Sequence, residues 1–550
     1  MKKYAIGIDY GTLSARTVIA DIETGEEIAA SVYEYAHGVM SATFTDGTSL
    51  PPDYALQHPK DYIDALFCTI KDCLEKSAVN PADITGVGVD FTASTILPVD
   101  KNGEPLCFKE EFKNNPHAYV KLWKHHAAQK EADDINRLLK EYDNELLQKY
   151  GGTISCEWLF PKVLQILRED ENVYNNAARF TEAGDFIVQL LTGKESCSVC
   201  GAGFKGMWDE TKGYPDKAFL KALDPRLENI IGDKIKTEVS KLSETAGYVT
   251  EKIEKITGLK AGTPVKPAII DAHAALPALG ITSPGDLLMI IGTSTCHILL
   301  SDKKSFVPGI SGYVKDGIVD DLYAFEAGQS CVGDSFDWFV KNCVPHAYYM
   351  QAEENGINIH KYLRQKAEKL APGANGLLAL DWWNGNRTPY VDGNLSGMLL
   401  GLDLSTTPEE IYRALIEATA YGTRRIIEIY EQNGIEIKTL YAAGGIAEKD
   451  PLLMQIYADV TGREIFVSGT AQACAYGSAV IGAVNENGYG TLQEASAVMR
   501  KIKSFSYQPD KDNHEKYTPL YEQYKILSEH FAKDDVMKIL RRKGSKPLMV

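Results

Sequence analysis

The chain predicts an α/β fold made of two duplicated halves with a cleft between them, and three observations predict it. The first is a strand, turn and strand at the N-terminus, where the apolar run of residues 4–10 breaks at Gly11-Thr12-Leu13-Ser14 and resumes through Thr17-Val18-Ile19-Ala20. The second is its echo, Leu287-Leu288-Met289-Ile290-Ile291, then Gly292-Thr293-Ser294-Thr295, then the apolar run to Leu300. The third is order: each hairpin is followed by a helical stretch and then by a strand with a small-residue end, at 84–95 and again at 439–447.

Bulk composition agrees. At 550 residues the chain exceeds what one core supports and suffices for two or three domains. With 44% hydrophobic and 24% charged residues, it carries no disordered or fibrous bias. A formal charge of −17 excludes general attraction to nucleic acid or anionic membrane, so an anionic substrate needs a local basic site. The apolar run after Met1-Lys2-Lys3 meets Asp9 too soon for a signal-peptide core. No stretch approaches the roughly 18 apolar residues of a membrane span. A cytoplasmic enzyme is expected.

In the first hairpin, Gly7 and Gly11 let the backbone approach a ligand, and Thr12 and Ser14 add hydroxyls and amides at the turn. Asp9 sits at its mouth. An acid beside phosphate-binding donors makes sense with a divalent cation between them; otherwise this is an ordinary tight hairpin. Residues 59–78 carry apolar side chains at helical spacing, with Pro59 in the first turn. The strand 84–91 ends in Thr92-Ala93-Ser94-Thr95, the strand end where open α/β sheets bind ligands, so that Asp90 edges a site or caps a turn. Residues 119–150 are charged and helical in period; the adjacent His125 and His126 point to different faces, as surface or satisfied core histidines. Gly201-Ala202-Gly203-Phe204-Lys205-Gly206 matches G-x-G-x-x-G but leads into Met207-Trp208-Asp209, which is no pyrophosphate-binding helix. Cys197 and Cys200 form a C-x-x-C without a second pair at zinc spacing, so no metal is expected there.

Residues 266–280 read as a strand ending at Asp271 and running into a helix of small residues. Asp271 is either the N-cap of that helix or a general base. Thr407-Pro408-Glu409-Glu410 is a capping box that opens a long amphipathic helix. The strand 439–443 runs into Gly444-Gly445, where the backbone can lie against a purine, or makes a plain strand-to-helix turn. The small-residue helix from Gln472 to Ala479 is expected to border the same adenosine site. The charged tail, 501–550, is amphipathic.

The two hairpins resemble the phosphate-1 and phosphate-2 loops of the sugar-kinase, Hsp70 and actin superfamily, whose duplicated ribonuclease-H-like domains close on ATP. Asp271-Ala272-His273-Ala274-Ala275, Gly444-Gly445 and Gly397 through Gly401-Leu402, leading to Arg413-Ala414 and Glu417, resemble the FGGY carbohydrate kinases along the whole chain. Asp90-Phe91-Thr92-Ala93, Leu122 to Gln129, Glu157-Trp158 with Pro161-Lys162, Gly203-Phe204-Lys205, Phe325 to Ser330 and Asp381 to Arg387 are similar to one branch of that family. The resemblance implies an N-terminal sugar-binding domain over 1–268 and a C-terminal nucleotide-binding domain over 269–550. It implies ATP-dependent phosphorylation of the 5-hydroxyl of L-ribulose in arabinose breakdown, with magnesium. Asp271 matches the catalytic base, also facing the substrate, and Asp9 the acid that helps hold Mg2+. Lys205, Glu326 and the backbone at Ala93 match sugar-contacting positions, and Gly11, Thr12, Ser14, Gly292, Thr293, Ser294, Gly444 and Gly445 the nucleotide-binding ones. Leu13 and Cys156 depart from the pattern, where many relatives carry an acid and a serine. Sugar and ATP are the implied partners, without nucleic acid or membrane, and the resemblance leans to a homodimer. The alternatives are a kinase for another pentulose or a pentitol, a catalytically silent sugar-binding regulator, and an ATP-driven chaperone or filament protein.

Overall fold

The computed structural model describes residues 2–540 and divides into two compact units, each built around its own sheet. The first runs through Thr282 and takes in Gly312–Ala324 and Gln472–Lys501; the second holds Ser283–Ser311, Phe325–Ala471 and the chain from Ile502. The units are thus interleaved along the sequence, whereas the sequence suggests one boundary at 268/269. Residues 541–550 of the expected tail lie outside the described residues; the part before them contains the helix Lys511–Lys533.

In the first unit the strands Glu27–Glu34, Ser14–Asp21, Tyr4–Tyr10 and Ile84–Phe91 lie side by side, and both Pro264–Val265 and Ile269–Ile270 pair with Ile84–Phe91. The N-terminal hairpin is antiparallel, but Tyr4–Tyr10 and Ile84–Phe91 run parallel with Asp9 opposite Asp90. Ile269 and Ile270 pair with Asp90 and Phe91, also in parallel, so Asp271 follows at the carboxyl end of the same three strands. The helix Pro59–Ser77, capped by the His58 side chain and with Pro59 in its first turn, buries Tyr62, Leu66 and Ile70 against this sheet.

The helix Ala473–Gly482 packs on Tyr4–Tyr10, on Ile84–Phe91 and on the helix Asp271–Ala278. Glycines make that approach possible. A Cβ on Gly7 would lie 1.8 Å from the Ala475 carbonyl oxygen, and one on Gly477 1.7 Å from that of Ala274. The helix thus belongs to the first unit, whereas Gly444 and Gly445 belong to the second. Its small residues serve backbone-to-backbone packing in the first unit, where they bring Ser478 to Asp90.

In the second unit the strands follow the order Tyr323–Gln329, Thr295–Ser301, Asp286–Ile291, Thr439–Ala443, Ile465–Ser468, Ile502–Tyr507. Here too an antiparallel hairpin lies beside a parallel neighbour, with Asp286–Ile291 parallel to Thr439–Ala443. The capping box forms as expected: Thr407 and Glu410 open the helix Pro408–Gln432, whose Arg413 and Glu417 make a buried pair at 2.8 Å, joined by the Tyr517 hydroxyl. Among the described residues, no helix is long and apolar enough to cross a membrane.

The 119–150 stretch is less continuous than its period suggests: helices occupy only Gln129–Tyr142 and Asn144–Lys149. His125 is fully buried and bonded to Gln165 at 2.9 Å, while the half-exposed His126 pairs with Glu157 at 3.0 Å. The G-x-G-x-x-G run lies in and just after the helix Val199–Lys205, where Gly203 makes room for Val314.

Candidate active site

Strand register builds the acidic centre of the first unit. Asp9, Asp90 and Asp271 stand at the carboxyl ends of adjacent parallel strands, the edge at which such sheets bind ligands. Asp9 is buried, with Arg16 Nε at 3.4 Å; burial raises its pKa against the pull of Arg16. Asp90 is fully buried and its Oδ2 accepts from Ser478 Oγ at 2.6 Å, while its Oδ1 has no hydrogen-bond donor. Burial first, and then the neighbouring Asp9 charge, raise the Asp90 pKa well above the carboxylate range. A proton shared between Asp9 and Asp90, or a cation beside them, relieves that repulsion.

Asp271 is the first residue of the helix Asp271–Ala278, and its Oδ1 accepts from the Ala272 amide at 2.7 Å. Ile270, not Asp271, occupies the cap position, so the carboxylate lies within the first turn, close to the helix's free amides. The helix that carries Lys205 is pinned alongside: Cys200 Sγ lies 3.2 Å from His273 Nδ1, and the Phe204 and His273 rings are 4.5 Å apart. Lys205 is 5% exposed with its ammonium 5.5 Å from the Trp158 ring centroid, a cation–π distance. Ala93 lines one small cavity with Ser94, Glu182 and Ile270, the residue before Asp271. Cys197 and Cys200 form no disulfide, and among the described residues no cluster of three or more metal-ligating side chains occurs.

In the first hairpin, Gly11 N donates to Ser14 O at 3.0 Å. Thr12 is held twice, its hydroxyl accepting from Trp123 Nε1 at 3.1 Å and its carbonyl from Gln57 Nε2 at 2.6 Å. Ser14 is buried and Leu13 is exposed at the tip.

The second unit assembles the other expected residues. Gly292 N donates to Ser294 O at 2.9 Å, a turn one residue tighter than the first, since Ile291 pairs with Thr295 but Tyr10 with Ala15. Val332 N and Gly333 N donate to Thr293 O and Gly292 O, tying the turn to the start of the helix Gly333–Cys343. Gly444 has φ +97°, and a Cβ there would lie 2.5 Å from the Ile291 carbonyl oxygen, so only glycine fits; at Gly445 the space is open. Gly292, Thr293 and Gly445 line one recess of about 380 Å³, with walls from Phe336, Asp337, His360, Arg364, Tyr412 and Asp450. The Arg364–Asp450 pair at 3.1 Å and the bonds of His360 to Asp337 and Tyr412, each 3.1 Å, hold those walls. These wall residues escape a sequence reading, because they come from four separate segments, at 336–337, 360–364, 412 and 450, that no single spacing joins. Glu326 is buried on the strand Tyr323–Gln329, in the second unit.

Comparison with known proteins agrees with this architecture. Residues 4–278 match the N-terminal domain, and 287–486 the C-terminal domain, of the FGGY family of carbohydrate kinases. A ribulokinase of Bacillus licheniformis is 52% identical over 96% of this chain and 97% of its own, and one of Geobacillus thermodenitrificans is 47% identical over 98% and 97%. Among solved structures, a xylulose kinase from Rhodospirillum rubrum superposes with a TM-score of 0.79 at 22% identity, covering 96% of this chain and 99% of that one. A gluconate kinase from Lactobacillus acidophilus gives 0.81 at 18%, covering 97% and 99%. At such identities the structures show a shared fold. Matches to both domain models over most of the chain, together with full-length relatives at about half identity, place this chain in the FGGY family of carbohydrate kinases.

Proposed function

We propose that the protein is a ribulokinase, transferring the γ-phosphoryl group of ATP to the 5-hydroxyl of L-ribulose in L-arabinose breakdown. The observation that carries this reading is the match to proteins named ribulokinase at 45–52% identity along nearly the whole chain. The carboxylate and lysine arrangement of the first unit supports it. A sugar hydroxyl is a poor nucleophile, so the protein must position it and take its proton. Asp271 does the second task, its carboxylate oriented by the Ala272 amide. Lys205 and Glu326, with the Ala93 backbone, bond the remaining sugar hydroxyls. The amides and hydroxyls of Gly11, Thr12, Ser14, Gly292, Thr293 and Ser294 hold the phosphates, and Gly444 and Gly445 receive the adenosine.

Magnesium fits the donors present. Asp90 Oδ1 lacks a donor beside the Asp9 carboxyl, which has Arg16 as a cationic neighbour, so a divalent cation would relieve the crowded acids. Asp9, backed by Asp90, would hold it, and bound there it neutralises charge on the phosphates. A cytoplasmic location, a homodimer, and a sugar-binding 1–268 with a nucleotide-binding 269–550 belong to the same proposal. The test is the product: phosphorus NMR after incubation with L-ribulose and Mg-ATP should show a 5-phosphate. Lys205→Met and Glu326→Gln should raise the KM for sugar more than the KM for ATP. A phosphate on another carbon, or variants that leave sugar KM unchanged, contradict the assignment.

A further inference from the structure

Lys162 belongs to a fragment shared with the family, yet none of the chemistry above uses it. It lies on the helix Leu159–Glu169 and is 0% exposed. A buried ammonium requires acceptors and countercharge. Its Nζ donates to the Ser94 carbonyl at 2.6 Å and to that of Leu122 at 2.8 Å, with the Lys121 carbonyl farther off at 3.5 Å, and the Glu182 carboxylate supplies the opposite charge.

The two near carbonyls, Ser94 and Leu122, differ in how they are held. The Leu122 segment is anchored independently: Leu122 N donates to Ala55 O at 3.0 Å, and the next residue, Trp123, donates to Thr12 Oγ1. Ser94 instead sits in a strained turn. Its φ is +51°, a left-handed conformation that is costly for any residue with a Cβ, and it directly follows Ala93. The Thr92 and Thr95 hydroxyls share a 2.8 Å hydrogen bond across the turn, and Ala183 N donates to Thr95 O at 2.7 Å at its exit.

We propose that Lys162 is a positioning residue for the sugar: anchored on Leu122, its ammonium draws the Ser94 carbonyl inward and holds the turn in the left-handed conformation that presents the Ala93 backbone. This rests on the reading of Ala93 as a sugar contact. Lys162 itself touches neither sugar nor nucleotide.

Lys162→Met keeps most of the side-chain volume and removes the donors. It should raise the KM for L-ribulose about tenfold to a hundredfold, the effect of roughly 1 Å of misplacement, while the KM for ATP stays unchanged. Adding Ser94→Gly removes the Cβ that makes the turn costly and should recover about fivefold of the lost kcat/KM. A structural role alone does not predict rescue by a glycine. Ser94→Thr, with Lys162 intact, adds branching at the left-handed position and should itself raise the sugar KM. Should Lys162→Met fail to fold, Ser94→Thr decides. An unchanged sugar KM in Lys162→Met or in folded Ser94→Thr overturns the proposal, as does a defect that Ser94→Gly cannot relieve. Wild-type turnover of L-ribulose is measured first, since its absence removes the kinase reading itself and is distinct from either variant's result.

Discussion

Replacing Asp271 by Asn separates the chemistry of the site from its architecture. The Asn side-chain oxygen can still accept from Ala272 N, the bond that Asp271 Oδ1 makes at 2.7 Å, so the helix Asp271–Ala278 keeps its first turn. The change removes a negative charge from a helix N-terminus, a loss of about 0.3–1 kcal/mol. It also removes repulsion, because Asp271 adds to the burial and the Asp9 charge that push the Asp90 pKa up. The two effects oppose, so the variant should melt close to wild type. Turnover is another matter. Loss of a general base costs about 10²–10⁴ in rate, a barrier increase of about 2.7–5.4 kcal/mol at about 1.36 kcal/mol per tenfold. Coupled ADP release at saturating sugar and ATP gives kcat, and calorimetry gives sugar affinity. The expected result is normal melting and retained sugar binding with kcat down at least about a hundredfold. A kcat within about tenfold of wild type, with binding intact, refutes Asp271 as the base.

Other expectations follow from packing and burial. Gly477→Ala forces a Cβ to 1.7 Å from the Ala274 carbonyl oxygen, which neither helix backbone can yield cheaply. It should cost about 3 kcal/mol or more, the upper end of overpacking, seen as a lowered urea midpoint; an unchanged midpoint contradicts the close helix contact. Asp185 is 4% exposed, and burial followed by the Glu182 charge pushes its pKa from 3.8 up to about 7. Between those values the folded state keeps a proton that the unfolded state has released, so Asp185 makes stability fall as pH rises from about 4 to about 7. Asp185→Asn should flatten that slope in denaturation measured across the range, and an identical slope contradicts the assignment.

Both hairpins, the later strand in each half and the paired glycines were legible in the sequence, because each is a local signal: an apolar run, a small polar turn, a residue type that a tight backbone demands; the parallel pairing of those strands with the hairpins was not. Asp271 was legible as the end of a strand entering a helix, though not its neighbours. The contact between Asp90 and Ser478 joins residues far apart in the chain, and no periodicity announces it. The packing task of the Ala473–Gly482 helix was not legible for a related reason. Small residues suit a nucleotide and a glycine-bearing strand equally well, and only the partner, Gly7 in this case, tells which. The recess walls at Asp337, His360, Arg364 and Asp450 were invisible because tertiary packing gathers them from three separate segments, His360 and Arg364 sharing one helix. Lys162 is only a motif letter in the sequence; its burial and its carbonyl acceptors give it a task.

The central claim is that this chain phosphorylates L-ribulose. ADP release from Mg-ATP, measured across the 2-ketopentoses, ribitol, arabinitol, glycerol and gluconate, tests it most directly. The account predicts the highest kcat/KM with L-ribulose. Preference for another acceptor, or no turnover on any sugar that the protein binds, contradicts it.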